Sequence, residues 1–273
     1  MTLSGLENVV KAATKPKDKI NVIIYADDFI ITGATKEVLE DKVKPIVESF
    51  LSERGLILSQ EKTKITHISE GFDFLGTNVR KYKDKLIIKP AKSSVKRFLV
   101  NIRKTIKSNA TVKTEVMIRL LNQKIRGWAN YYRHICSKDV FNYVDHNIFQ
   151  SLWRWATKRH PNKGARWIKS KYFRIDRRQN WMFSCKIKDK RDTLQYLDLI
   201  KASKTPIKRH IKIQATATPF DPAYHDYFDA RISKLHNARK FGSKANWLTC
   251  WWRLLKPMKE AEKFGSPLKA TAS

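Results

Sequence analysis

"VIIYADDFIITG", residues 22–33, sets two adjacent carboxylates, Asp27 and Asp28, inside an apolar run, and the meaning of that pair decides what the front of the chain is. Val22, Ile23 and Ile24 before the acids and Phe29, Ile30 and Ile31 after them read as two short strands joined at a tip. Two readings of the tip are open. Aspartate is a common turn residue, so the pair can simply close a hairpin. Paired acids at a buried sheet edge also suit divalent metal, because carboxylates hold Mg²⁺ and two such ions can drive nucleotidyl transfer. That chemistry needs a further carboxylate. Upstream only Glu7 and Asp18 are available, the latter in the loop "KPKDK" at 15–19.

Working outward, Leu39, Val43, Ile46, Val47 and Phe50 recur at helical spacing, which predicts a helix over 36–54 that stops at Gly55. Pro45 inside it predicts a kink or break. With short strands following, the chain up to Pro90 reads as an α+β piece. One reading of Gly76 is a tight turn with Phe72, Phe74 and Leu75 packed in the core. After Pro90 the period becomes helical. Val95, Phe98, Leu99, Ile102 and Ile106 form one apolar stripe, with Lys96, Arg97, Arg103, Lys104 and Lys107 off it. A second helix is expected from Val112 towards Trp128, with Val116, Leu120, Leu121 and Ile125 inward. A third is expected over 140–157, with Val144, Ile148 and Leu152 inward. Together they predict a small bundle.

The charge narrows the function. Among 273 residues, 56 Lys and Arg face 25 Asp and Glu, a formal charge of +31, which calls for a polyanion such as nucleic acid. Residues 158–212 alone hold 18 Lys and Arg against four Asp, with Trp167, Tyr172, Phe173, Trp181 and Phe183 interleaved. No apolar run approaches the roughly 20 residues of a spanning helix, and the first residues lack the apolar core of a signal peptide. The expectation is an intracellular, cytoplasmic protein with no membrane partner. Cys136, Cys185 and Cys250 lie far apart and read as reduced thiols, with neither a disulfide framework nor a metal knuckle.

Five blocks carry a resemblance: "YADDF" at 25–29, "GLILSQEKTKITHI" at 55–68, "GFDFLGTNVRK" at 71–81, "LNQKIRGWANYYRH" at 121–134 and "RWATKRHPNKGARWIKSKYF" at 154–173. In this order they resemble group II intron-encoded reverse transcriptases with their maturase domain, over roughly residues 3–231. The last two blocks are the specific ones. The resemblance implies an α+β chain in four parts: a partial palm at 1–90, thumb helices at 91–135, a basic helical maturase domain at 136–215 and a degenerate extension at 216–273. It implies that Asp27 and Asp28 are the catalytic and metal-binding pair for Mg²⁺. Tyr25 and Ala26 would lie beside the primer end, Lys62 near the incoming triphosphate or template, and Gly76 in the hairpin that grips the primer. For Lys62 a solvated surface position, and for Gly76 a plain tight turn, remain open.

Fingers and the first palm Asp are absent, so the chain resembles an N-terminally truncated member, from which autonomous polymerisation is not expected. A maturase needs no metal of its own. It holds intron RNA in its self-splicing fold, which calls for phosphate contacts and stacking on unstacked bases. Arg126, Tyr131, Tyr132, Arg133, Arg159, His160, Lys163, Arg166 and Lys169 are the candidates for RNA contact. Trp128, Trp153 and Trp155 read rather as core, and His134 as a packing residue. The segment at 207–232, with Arg209, His210, Lys212 and Asp221, resembles the lead-in to a nuclease or DNA-binding extension. The two cysteine pairs of that nuclease are missing, and His225 with Asp226 reads as a turn. The expected partner is therefore group II intron RNA, with a DNA target and a complementing reverse-transcriptase fragment as further options. The alternatives to a maturase are a polymerase completed by that fragment and an inert mobile-element relic.

Overall fold

The computed structural model describes residues 3–59, 61–176, 179–188, 192–208, 213–214 and 217–240. Arg209, His210, Lys212 and Cys250 lie outside them. The chain forms two compact units, 1–210 and 211–273. The described part is mixed α+β, as expected, with helices accompanied by three small antiparallel sheets.

The first unit contains two apolar clusters. The smaller joins helix α1 (Leu6–Ala12), the hairpin β1 (Asn21–Tyr25) with β2 (Asp28–Thr32), and helix α2 (Lys44–Ser52). Strand register pairs Val22 with Ile31 and Ile24 with Phe29, so these four share a face, and Val22, Phe29 and Ile31 pack on buried Leu6, Val10, Val47 and Phe50. The single helix expected over 36–54 is divided. Val38–Val43 is a π-helical stretch and α2 starts afresh with Pro45 in its first turn, where a missing N–H costs least. The helix ends as Gly55 implies. At φ 68° Gly55 closes a pair of bonds from the Leu56 N–H to the Leu51 carbonyl and from the Gly55 N–H to that of Ser52.

The meander β3 (Phe72–Phe74), β4 (Thr77–Tyr82) and β5 (Lys85–Pro90) follows. Phe72, Phe74 and Leu75 are only half-buried here and belong to neither cluster, because a three-stranded sheet with one docked face cannot enclose them.

The larger cluster is built by α3 (Lys92–Ser108), α4 (Thr114–Tyr132) and α5 (Lys138–Arg159). Val95, Leu99, Ile102 and Ile106 of α3 and Val144, Ile148 and Leu152 of α5 are buried as their spacing predicts. In α4 the stripe is Met117, Ile118, Leu121, Ile125 and Ala129. Val116 is 44% exposed, one position out of phase with that stripe. Each fully buried Leu, Ile or Phe contributes about 1.5–3 kcal/mol. The basic segment continues with α6 (Ala165–Tyr172) and a sheet of β6 (Phe173–Asp176), β7 (Gln179–Lys188) and β8 (Leu194–Asp198), strands that helical expectations for this region did not include. Phe173 and Phe183 turn into the helical core, and Cys185 and Leu197 pack against it. Burial raises the Cys185 thiol pKa, whereas Cys136 is exposed; both are free.

In the second unit a short turn at Pro222–Tyr224 leads into α7 (His225–Lys240), and Asp221 accepts the Ala223 N–H at its start. No helix among the described residues is long and apolar enough to cross a membrane.

Asp18 is a buried acid of the first unit, 4% exposed. The Lys15 N–H, 3.0 Å away, is the main reason its carboxyl stays below the usual range, and Lys42 adds to this. A depressed carboxyl stabilises the fold above its unfolded value near 3.8 and loses that effect as pH falls through the lower folded value. Asp18→Asn should therefore unfold at a lower temperature than the parent at neutral pH, and the gap should close in acid. Thermal melts across a pH series check this.

Candidate nucleic-acid interface

The β1–β2 tip is a two-residue loop of Ala26 and Asp27, with Tyr25 and Asp28 as the last cross-strand pair. Ala26 adopts φ 53°, left-handed backbone that a Cβ makes unfavourable. Both acids are exposed, unlike the buried edge expected from the apolar run: among the described residues no further strand pairs with either edge of the hairpin. On that face Ile23 is 52% and Tyr25 62% exposed. Among the described residues no set of three metal-ligating side chains comes together. Two neighbouring carboxylates do not make up the donor set of a two-ion site, so no catalytic step is assigned to Mg²⁺. Glu7 is engaged with Lys11 and Asp18 with Lys15 and Lys42.

The second hairpin turns through Leu75 and Gly76, at φ 48° and 74°, between the paired Phe74 and Thr77. The Tyr131 hydroxyl donates to the Leu75 carbonyl at 2.8 Å and that of Tyr132 to the Gly76 carbonyl at 3.1 Å. These tyrosines, candidates for base stacking, thus hold a turn. Tyr132 is buried, while the Tyr131 ring stays 52% exposed. Burial, then the neighbouring phenols of Tyr132 and Tyr25, raise the pKa of Tyr131. Lys62 is exposed in the segment between α2 and β3.

The candidate cations fall into two groups. Arg126, Lys163 and Arg166 are exposed. Arg159 instead donates to the Val112 carbonyl at 2.5 Å and the Thr111 carbonyl at 3.2 Å and lies over Trp155, tying α5 to the α3–α4 connection. Arg133 bonds Asn130 and its carbonyl accepts the Lys208 N–H. His160 shares a 2.7 Å hydrogen bond with the Tyr172 hydroxyl and packs on Trp167. Desolvation first, then Lys171, Arg159 and Lys163, depress its pKa, which favours the neutral ring at physiological pH. Trp155 is core, its indole N–H directed at the Asn109 carbonyl, and Trp128 stacks on Phe98 at 4.6 Å. His134 is exposed beside Tyr131.

Sequence reasoning missed Lys171, whose Nζ lies 4.6 Å from the Trp167 ring centroid, with Lys163 at 5.7 Å from the same ring. The signal was present: Trp167 and Lys171 are four apart on α6 and therefore share a face. It also missed the contact of Lys169 with Trp181, at 4.4 Å, which joins α6 to β7.

Residues 2–79 match the reverse transcriptase (RNA-dependent DNA polymerase) family, and residues 95–173 match the group II intron maturase-specific domain. No curated protein matches the chain.

A Cβ on Gly76 would stand 2.9 Å from the Tyr132 hydroxyl oxygen and 3.0 Å from Ser94 Oγ, on backbone that already disfavours it. Gly76→Ala should cost about 1–3 kcal/mol in urea unfolding. Tyr131→Phe, which removes one partly exposed hydrogen bond, should cost about 0.5–1.5 kcal/mol.

Proposed function

Because the chain belongs to the family of group II intron-encoded reverse transcriptases and maturases, we propose that it acts as a maturase. It binds intron RNA and holds it in the folded form that splices. Catalysis then belongs to the RNA, and the protein supplies position through phosphate contacts and stacking.

The observation that carries this reading is the build of residues 95–173. Their apolar side chains make most of the larger core. Exposed Lys96, Arg97, Arg103, Lys104, Arg126, Arg154, Lys158, Lys163 and Arg166 stand outside it. A packed bundle carrying exposed cations suits a folded RNA, whose phosphates are fixed in space. Arg126 and Arg166 are the stronger phosphate candidates, since Arg159 is tied to backbone carbonyls and His160 to the Tyr172 hydroxyl.

A second reading has one observation of its own. The outer face of β1–β2 leaves Ile23 and Tyr25 exposed beside Asp27 and Asp28, as a hairpin would that receives further strands and a third carboxylate to become an RNA-directed DNA polymerase. Primer extension with Mg²⁺ on an RNA template tests it. Extension that is lost in Asp27→Ala would favour the polymerase. The maturase reading expects no extension by the chain alone and an intron-RNA affinity that Asp27→Ala leaves unchanged.

For the maturase reading, the purified chain is titrated against its flanking intron RNA at about 0.15 M salt, with tRNA and duplex DNA as competitors. Selective retention of the intron is expected; equal competition by tRNA overturns the reading. Arg126→Ala and Arg166→Ala should each weaken intron binding and lower the slope of log affinity against log salt by about 1.

A further inference from the structure

We propose that the groove between α5 and β7 receives an unstacked base of single-stranded RNA, with Trp181 as its stacking surface. The proposal rests on the RNA-binding reading above and names a site within it. The groove has a volume of about 680 Å³ and is lined by Phe149 and Trp153 from α5 and Phe173, Trp181 and Phe183 from the sheet. Asn142, Asn180 and Lys201 also line it.

Phe149, Trp153, Phe173 and Trp181 form one cluster. Phe149 lies 5.9 Å and Trp153 5.7 Å from Trp181, both at steep interplanar angles, and Phe173 lies 6.0 Å from it. Phe173 is buried, Phe149 and Trp153 are half-buried, and Trp181 remains 39% exposed. The cluster is thus anchored at its floor and open at Trp181.

The backbone singles out the same residue. Trp181 adopts φ 60° within β7, a conformation that a bulky aromatic rarely takes, and the β6–β7 register shifts between Arg174 and Asp176. Such an irregularity re-aims a side chain. Here Trp181, Met182 and Phe183 all line one groove, where regular alternation would turn Met182 to the other face. Strain of this kind persists only where the surroundings enforce it, and it concentrates at binding sites.

Charge selects the occupant. Lys169 Nζ stands 4.4 Å from the Trp181 ring, placed for the phosphate of a nucleotide whose base enters the groove, and Lys201 adds a second cation. Asp145, the acid among the lining residues, has both oxygens taken, by the Ala202 N–H at 2.7 Å and the Ser203 N–H at 2.9 Å. The opening is therefore positive and aromatic, with side-chain amides for a base edge, which matches a nucleotide. A purely apolar protein segment would leave Asn142, Asn180 and the cations without partners.

The test is fluorescence anisotropy of the full chain with a labelled single-stranded RNA of about 12 nucleotides and with the same sequence as a duplex, at about 0.15 M salt. Trp181→Ala should weaken single-strand binding about tenfold and leave duplex binding unchanged, while Trp181→Phe keeps most of the affinity. Unchanged single-strand affinity, or an equal loss on both probes, overturns the proposal; the first would leave the groove to an apolar partner segment. If Trp181→Ala does not fold, the unaltered protein is irradiated with RNA carrying 4-thiouridine. Crosslinks in the peptides holding Trp181 or Trp153 support the site, and crosslinks confined to other peptides overturn it. Selective intron binding by a chain whose single-strand affinity Trp181→Ala leaves unchanged ends this proposal alone. Single-strand preference that depends on Trp181 in a chain that does not select its intron ends the maturase reading alone.

Discussion

The buried face of α4 is the constraint on which the larger part of the first unit depends. Met117, Ile118, Leu121, Ile125 and Ala129 are each fully enclosed, within the one core that α3, α5 and the β6–β8 sheet share. The same helix holds two structures by polar contacts. Asn122 donates to the Asp198 carbonyl and accepts the Ile200 N–H, which fixes the exit of β8. Ten residues later the paired tyrosines reach the turn of the β3–β4 hairpin. One helix thereby sets the position of both neighbouring sheets, and its apolar stripe supplies the stiffness for each contact.

The acidic hairpin is built differently. It leans on α1 and α2 through one face and keeps its own small cluster. Its outer face and its acids meet solvent, so the paired carboxylates stand without an enclosing site. The basic half lacks nothing of the kind: its helices and sheet close around one core, and its cations stand on a finished surface.

Much of this was legible in the sequence. Short apolar runs on either side of Asp27 and Asp28 located the first hairpin, and period 3.6 located α3 and α5 together with their inward residues. Pro45 and Gly55 marked a break and a stop because each acts through its own backbone. Legibility ended where a partner is distant in sequence. Nothing local in "NYYRH" tells that its hydroxyls seek carbonyls at Leu75 and Gly76, and an aromatic pair among arginines reads as easily as a stacking platform. In α4 the aliphatic text runs on past the stripe, so Val116 was placed inward although it lies one step out of phase. The β6–β8 sheet was hidden for another reason. The irregular backbone at Trp181 puts Met182, Phe183 and Ser184 in consecutive buried positions, which destroys the alternation by which a strand is recognised.

No lysine or arginine is buried among the described residues; the buried polar side chains there are Asp18, Ser137 and Ser184. Even Arg159 and Arg174, which are bound to the fold, keep part of their surface in water. The described residues thus follow two rules: an interior without lysine or arginine, whose one buried acid is held by Lys15 and Lys42, and a cationic coat in which only some members, Arg159 and Arg174 among them, are tied to the fold. Where a cation is not tied to the fold, its charge can change sign or vanish while the packing beneath it stays as it is.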